Sequence, residues 1–142
     1  MHASHPLPVL TTARVRLDTG ISYLVPVTFH YTPSDPLAIT MSIAVEGAAP
    51  VRWRLCRSLL HDGVGRSMGE GDVRVSPGGA GEVLLRLSGT HATATFALPT
   101  GPLLRCLRAS FAAVPPGSEG DTMDWDAALR HLTAPSSAPF ED

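Results

Sequence analysis

Val51-Arg52-Trp53-Arg54-Leu55-Cys56-Arg57-Ser58-Leu59-Leu60-His61-Asp62-Gly63 is the stretch from which the fold is read. Val51, Trp53 and Leu55 alternate with Arg52 and Arg54, the period-two pattern of a strand with one buried face. From Arg57 to Asp62 the alternation gives way to one or two helical turns. Gly63 then stands where a left-handed residue ends a helix. Downstream, Gly69 and Gly71 turn the chain into a second alternating segment with Val73 and Val75 on one side. The spacing is that of a packed scaffold, and Trp53 is predicted to anchor its core.

Working outward, Ala13–Asp18 is expected to form a first strand after a loose leader over residues 1–12. Tyr23, Val25, Val27, Phe29 and Tyr31 alternate with Leu24, Pro26, Thr28 and His30, a long strand in which Pro26 implies an edge or a bulge and Leu24 a second apolar face that needs cover. Thr32-Pro33-Ser34-Asp35-Pro36 is a turn. Leu37, Ile39, Met41, Ile43 and Val45 make a further amphipathic strand, so the three segments from Tyr23 to Leu55 read as an antiparallel meander. Asp72–Ser76, Glu82–Leu87 and Ala92–Leu98 follow as strands. Leu103, Leu104, Leu107 and Phe111 then recur at helical spacing. Pro115–Gly120 is a linker, and Trp125, Ala128, Leu129 and Leu132 stripe a final helix capped by Asp121 or Thr122. Residues 134–142 read as a disordered tail, which leaves residues 13–133 as one domain.

A chain of 142 residues buries roughly 68–70% of its unfolded surface as one domain. The net charge of −2 argues against a general nucleic-acid binder, which needs a basic excess. All 11 basic residues are arginine, and Lys, Asn and Gln are absent, a bias that a GC-rich genome produces. Cys56 and Cys106 are expected to be buried and reduced, because no second thiol lies at a metal or redox spacing. Met1–Pro6 lacks the basic start of a signal peptide, and no apolar run reaches the roughly 18–20 residues of a membrane span. A cytoplasmic protein is expected.

Candidate chemistry is weak throughout. Gly63–Gly71 resembles a phosphate loop only in its glycines. It lacks the lysine of a Walker motif and follows a helix where a dinucleotide loop follows a strand. Ser58, His61 and Asp62 supply the residue types of a hydrolase triad, but from one short segment, without the positioned nucleophile that such sites need. The Asp121, Asp124 and Asp126 cluster suits a helix N-terminus. No catalytic residue, metal ligand or cofactor is therefore assigned. Arg52, Arg54, Arg57 and Arg66 are the densest basic group, and Arg57, Asp62 and Arg66 are the candidate partner-binding residues, since arginine is enriched at interfaces.

The same blocks resemble the SsgA-like family of sporulating actinomycetes. The matching residues are Tyr31 with Asp35-Pro36, then Trp53, then Arg57-x-Leu59-Leu60-x-x-Gly63. They continue through Gly69-x-Gly71-Asp72-Val73 to Val114-Pro115-x-Gly117-x-Glu119. The elements read above make an α+β fold, a bent antiparallel sheet of about six or seven strands with a short inter-strand helix and two C-terminal helices, and the resemblance implies a whirly-like arrangement of them. It also implies a homotrimer and a non-enzymatic regulator of sporulation-specific septum formation. Such a protein would be recruited to the septum by contact with the tubulin-like division GTPase or sibling proteins. The competing class is a single-stranded nucleic-acid-binding module, which needs exposed stacking aromatics. Aromatics are only 6% of the chain, and Tyr23, Phe29, Tyr31 and Trp53 fall on predicted core faces.

Overall fold

Two four-stranded meanders, joined by a helix, close on each other through their first and last strands. The structure, a computed structural model, describes residues 6–121. The first meander comprises β1 (Val9–Leu17), β2 (Ser22–His30), β3 (Ala38–Ile43) and β4 (Val51–Cys56). Helix α1 (Arg57–Gly65) leads into β5 (Met68–Glu70), β6 (Val73–Pro77), β7 (Glu82–Ser88) and β8 (Thr93–Pro99). Helix α2 (Thr100–Ala113) and a 3₁₀ turn (Glu119–Asp121) follow. The sheet order is β4-β3-β2-β1-β8-β7-β6-β5, antiparallel throughout, curled into a half-barrel.

The alternation in each strand sets which side chains point into the curl. Val15, Val25, Val27, Phe29, Met41, Trp53, Leu55, Val75, Leu85 and Phe96 are buried there. Helix α2 lies against β1, β2 and β8 and fills the curl with Leu103, Cys106, Leu107 and Ser110, at the i, i+3, i+4, i+7 spacing of one helix face. Helix α1 buries Leu59, Leu60 and Gly63 against β4, β5, β6 and α2.

Several expectations are corrected. The sheet has eight strands, not six or seven, because Met68–Glu70 pairs with β6 where only a turn was expected. That hairpin turns on Gly71 (φ 61°) and Asp72, a two-residue loop with the positive φ that favours glycine. The first strand begins at Val9, four residues before Ala13. Pro26 lies in a strand flanked by neighbours on both sides, yet it sits where β2 stops pairing with β3. Its carbonyl accepts from Ala44 N at 3.1 Å at the end of that ladder, so the missing N–H costs at most one bond. The meander over β2–β4 and the buried Trp53, 5% exposed, agree with the sequence. Tyr23, by contrast, is 49% exposed at the open end of the curl, and Cys56 is exposed while Cys106 is buried. The expected final helix over Trp125–Leu132 and the tail lie outside the described residues.

Gly63 is inside α1, which runs on to Gly65, and it has no positive φ. Its role is proximity: a Cβ there would collide with the Cβ and Cγ1 of Val75 on β6 and press on the Val75 carbonyl carbon at 3.3 Å. The helix rests directly on the strand. Gly63→Ala is expected to lose about 1–3 kcal/mol through overpacking, although alanine is the better helix former. Urea unfolding of the purified variant measures this.

Candidate functional site

Helix α1 opens without a side-chain cap, since Cys56 makes no capping bond. Its start is fixed from elsewhere. Arg57 N donates to Leu37 O at 2.9 Å, and the Arg57 side chain turns inward until the residue is 1% exposed. Nη1 donates to Ser110 O at 2.9 Å and to Ser110 Oγ at 3.3 Å. Nη2 donates to Val114 O at 2.7 Å and to Glu119 Oε2 at 2.9 Å. The guanidinium also lies 4.5 Å from the centroid of Phe111 and 5.4 Å from that of Tyr31. Helix α2 has no basic residue in its last turn, so Arg57 brings the cation that its C-terminal carbonyls favour from another element.

The surroundings of Arg57 are tied in the same way. Tyr31 Oη donates to Pro36 O at 2.9 Å, and burial, the largest influence on the phenol, raises its pKa despite the nearby guanidinium. Arg54 grips Asp35 with both arms, Nε to Oδ2 at 2.8 Å and Nη2 to Oδ1 at 2.7 Å, which fastens the Asp35-Pro36 turn to β4. Glu119 Oε1 accepts from Gly117 N at 2.9 Å, and the hydrogen bond from Arg57 holds its carboxyl below the ordinary 4.5. Residues from 31–36, 54–57 and 110–119 therefore meet in one junction, buried at Tyr31 and Arg57 and half-exposed at the Arg54–Asp35 pair.

Above the junction, α1 presents its outer side. His61 Nδ1 is 3.3 Å from Asp62 Oδ1, and the His61 ring stands edge-on to Phe111 at 5.4 Å between centroids. Arg66 is exposed at the end of the helix, with its backbone N–H donating to Asp62 O at 3.1 Å. Of the three candidate partner-binding residues, Asp62 and Arg66 are thus brought together at the surface. Arg57 lies beneath them, and a direct contact from it to a partner's carboxylate would require the junction to come apart. Tyr31, Ser110 and Glu119, which complete the junction, were not singled out as site residues. Tyr31 and Glu119 do stand in the quoted sequence blocks; Ser110 gives no signal beyond its place on the buried helix stripe.

The residue types of a triad are not assembled. Ser58 Oγ meets Cys56 Sγ at 3.2 Å, and His61 turns to Asp62 and Phe111. Among the described residues no group of three or more His, Cys, Asp or Glu converges as a metal site, and no helix is long and apolar enough to cross a membrane. The thiols differ sharply: burial pushes Cys106 up to about 11, whereas Cys56 is open to solvent. A thiol reagent at pH 8 is expected to modify Cys56 alone in the folded protein and both cysteines after unfolding. Mass mapping of the labelled peptides checks this.

At the opposite end of the curl from the helices, a cavity of about 220 Å³ remains open. Val15, Ile43, Val51, Trp53 and Phe96 line it, with Tyr23 and Val45, 49% and 41% exposed, at its rim.

Comparison with known proteins places this architecture. The family model described as "Streptomyces sporulation and cell division protein, SsgA" matches residues 25–119, which span the junction from Tyr31 to Glu119. The sporulation-specific cell division protein SsgB of Frankia casuarinae is 39% identical over 122 residues, covering 84% of this chain and 85% of that protein. A crystal structure of an SsgA-like sporulation-specific cell division protein from Thermobifida fusca superposes with a TM-score of 0.73 at 29% identity, covering 92% of this chain and 99% of that one. A solved structure from work on SsgB mutations and longitudinal cell division in sporulating Streptomyces coelicolor gives 0.70 at 30% identity, over 85% and 99% of the two chains. These relatives are named for cell division and not for a reaction. With residues 25–119 matched by the family model and most of its length matched by these relatives and solved structures, this chain belongs to the SsgA family of sporulation and cell-division proteins.

Proposed function

We propose that the protein is a non-enzymatic regulator of septum formation during sporulation, working from the cytoplasm by protein–protein contact at the septum. The observation that carries this reading is the Arg57 junction. Within the residues that the family model matches, Arg57 ties the start of α1 to Ser110, Val114 and Glu119, so its exposed end is held as a display of Asp62 and Arg66. A buried arginine makes conformational specificity for that helix, which a docking surface requires. The tubulin-like division GTPase or a sibling family member is the partner in this reading. A fluorescent fusion expressed in sporulating hyphae tests it: recruitment to septa before they close is expected, and a uniformly diffuse signal would refute it.

The whirly-like arrangement and a homotrimer belong to the same proposal. The open apolar cavity and the exposed Leu10, Leu24 and Tyr23 give a small domain reason to associate. Sedimentation equilibrium at micromolar concentration is expected to show about three times the 15.0 kDa chain mass, and a clean monomer would contradict it.

A further inference from the structure

On the convex side of the sheet, strand register draws arginines into one line. Arg16 on β1 stands opposite Thr95 on β8, Thr95 opposite Arg86 on β7, Arg86 opposite Arg74 on β6, and Arg74 opposite Gly69 on β5. All three arginines are exposed, and the residues beside them in each strand (Val15, Val75, Leu85, Leu87, Phe96) are buried or half-buried on the other side of the sheet. Strands lie about 4.8 Å apart, so the row spans about 14 Å.

Of the three other arginines of the sheet, Arg14 and Arg54 are held by carboxylates, and Arg52, unpaired among the described residues, stands apart on β4 opposite Ser42. Arg14, one register step away, is paired with Glu82 at 3.2 Å, and Arg54 and Arg57 have Asp35 and Glu119. Among the described residues Arg16, Arg74 and Arg86 make no ion pair with an acidic side chain. Arg74 and Arg86 moreover face each other directly across two strands, an arrangement of like charges that destabilises a sheet. The guanidinium of Arg74 lies against Gly69, where a Cβ would come within 2.7 Å of Arg74 Cζ, so the edge strand leaves it a flat shelf. Among the described residues no ion pair relieves that repulsion, which leaves a positive surface open to negative charge.

We infer that the row Arg16–Arg86–Arg74 is a docking surface for an acidic protein segment, distinct from the α1 surface and independent of its role. The spacing supports a protein occupant. Arg74 and Arg86 are about one strand gap apart and Arg86 and Arg16 about two, close to one and two turns of a helix of 5.4 Å pitch. Carboxylates along one helix face would meet the guanidiniums in sequence, with the directional pairing that arginine gives to carboxylates. A nucleic-acid strand fits less well, because the row's own strands put no aromatic side chain on that face for bases to stack on.

The test titrates the full chain into a fluorescein-labelled alanine-rich helical peptide with Glu at every fourth position and follows anisotropy at two salt concentrations. Binding that weakens with salt is expected, and Arg74→Glu with Arg86→Ala should reduce affinity at least tenfold. Arg105→Glu with Arg108→Ala on α2, which changes the net charge equally, should leave it within twofold. Arg74→Glu alone replaces a like pair by an opposite one, so it should bind worst for its size while melting no lower than the parent. That combination separates a docking role from a structural one. Equal losses in the α2 control, no peptide binding by the parent, or tighter binding of the row to single-stranded DNA or phosphatidylglycerol vesicles than to the peptide would each overturn the proposal.

Discussion

Arg57→Ala is expected to be among the most damaging single substitutions in the chain, costing about 3–5 kcal/mol. The guanidinium is buried and serves Ser110 O, Val114 O and Glu119 together, so its removal takes a charged donor from all three at once, although Ser110 O keeps Val114 N and Glu119 keeps Gly117 N. It also removes the apolar and ring contacts that the side chain makes with Tyr31 and Phe111. Lysine should not rescue it, because one ammonium cannot serve acceptors spread over Ser110, Val114 and Glu119. The pH dependence has a definite sign. The Glu119 carboxyl titrates lower in the folded protein than its ordinary 4.5, so its contribution is fully present above that value and is lost as pH falls through the folded one. Urea melts of parent and Arg57→Ala should therefore converge partly as the pH is taken below the ordinary 4.5 and through the lower folded-state value. A gap that stays constant with pH would detach Glu119 from the effect.

Trp53→Ala is expected to cost a similar amount, about 3–5 kcal/mol, by a different mechanism. Trp53 is 5% exposed on the inner side of β4, opposite Met41 on β3, and already borders the open cavity. Truncation would widen that cavity without letting the curved sheet collapse around it. Because the Arg57 junction lies at the other end of the strands, Trp53→Ala should lower stability without removing the pH dependence assigned to Glu119. Thermal or urea unfolding of the two variants separates them; a Trp53→Ala protein as stable as the parent would mean that the side chain is not a core anchor.

The residues explain why some of this could be read from sequence and some could not. Alternation in Val25–Phe29, Ile39–Ile43 and Val51–Leu55 is a local signal, and it fixes both the strands and their buried sides. The stripe Leu103–Leu107 is local too. Strand β5 was missed because three residues between glycines carry no periodicity; only pairing with β6 makes them a strand. Gly63 reads as a helix terminator because sequence records that a side chain is missing but not what stands in its place, here Val75 from another strand. Tyr23 has the right phase for the core but falls at the open mouth of the curl, a position set by where β3 ends. The candidate site shows the same division. Asp62 and Arg66 are neighbours on one helix end and were found together. Arg57 looked like a surface cation because its partners lie 53 to 62 residues further along the chain. Nothing local marks an arginine that will be buried.

The central claim is that the exposed end of α1, held by the Arg57 junction, is what a division partner recognises. Substituting Arg57 cannot test it, since the fold itself would suffer. Asp62→Arg with Arg66→Glu can, because both side chains are at the surface and the exchange leaves the net charge unchanged. The decisive measurement is the position of a fluorescent fusion of that double variant in sporulating hyphae lacking the parental gene. The account predicts a protein that melts and sediments like the parent yet fails to gather at septa. A double variant that assembles at septa and supports spore division normally would contradict it.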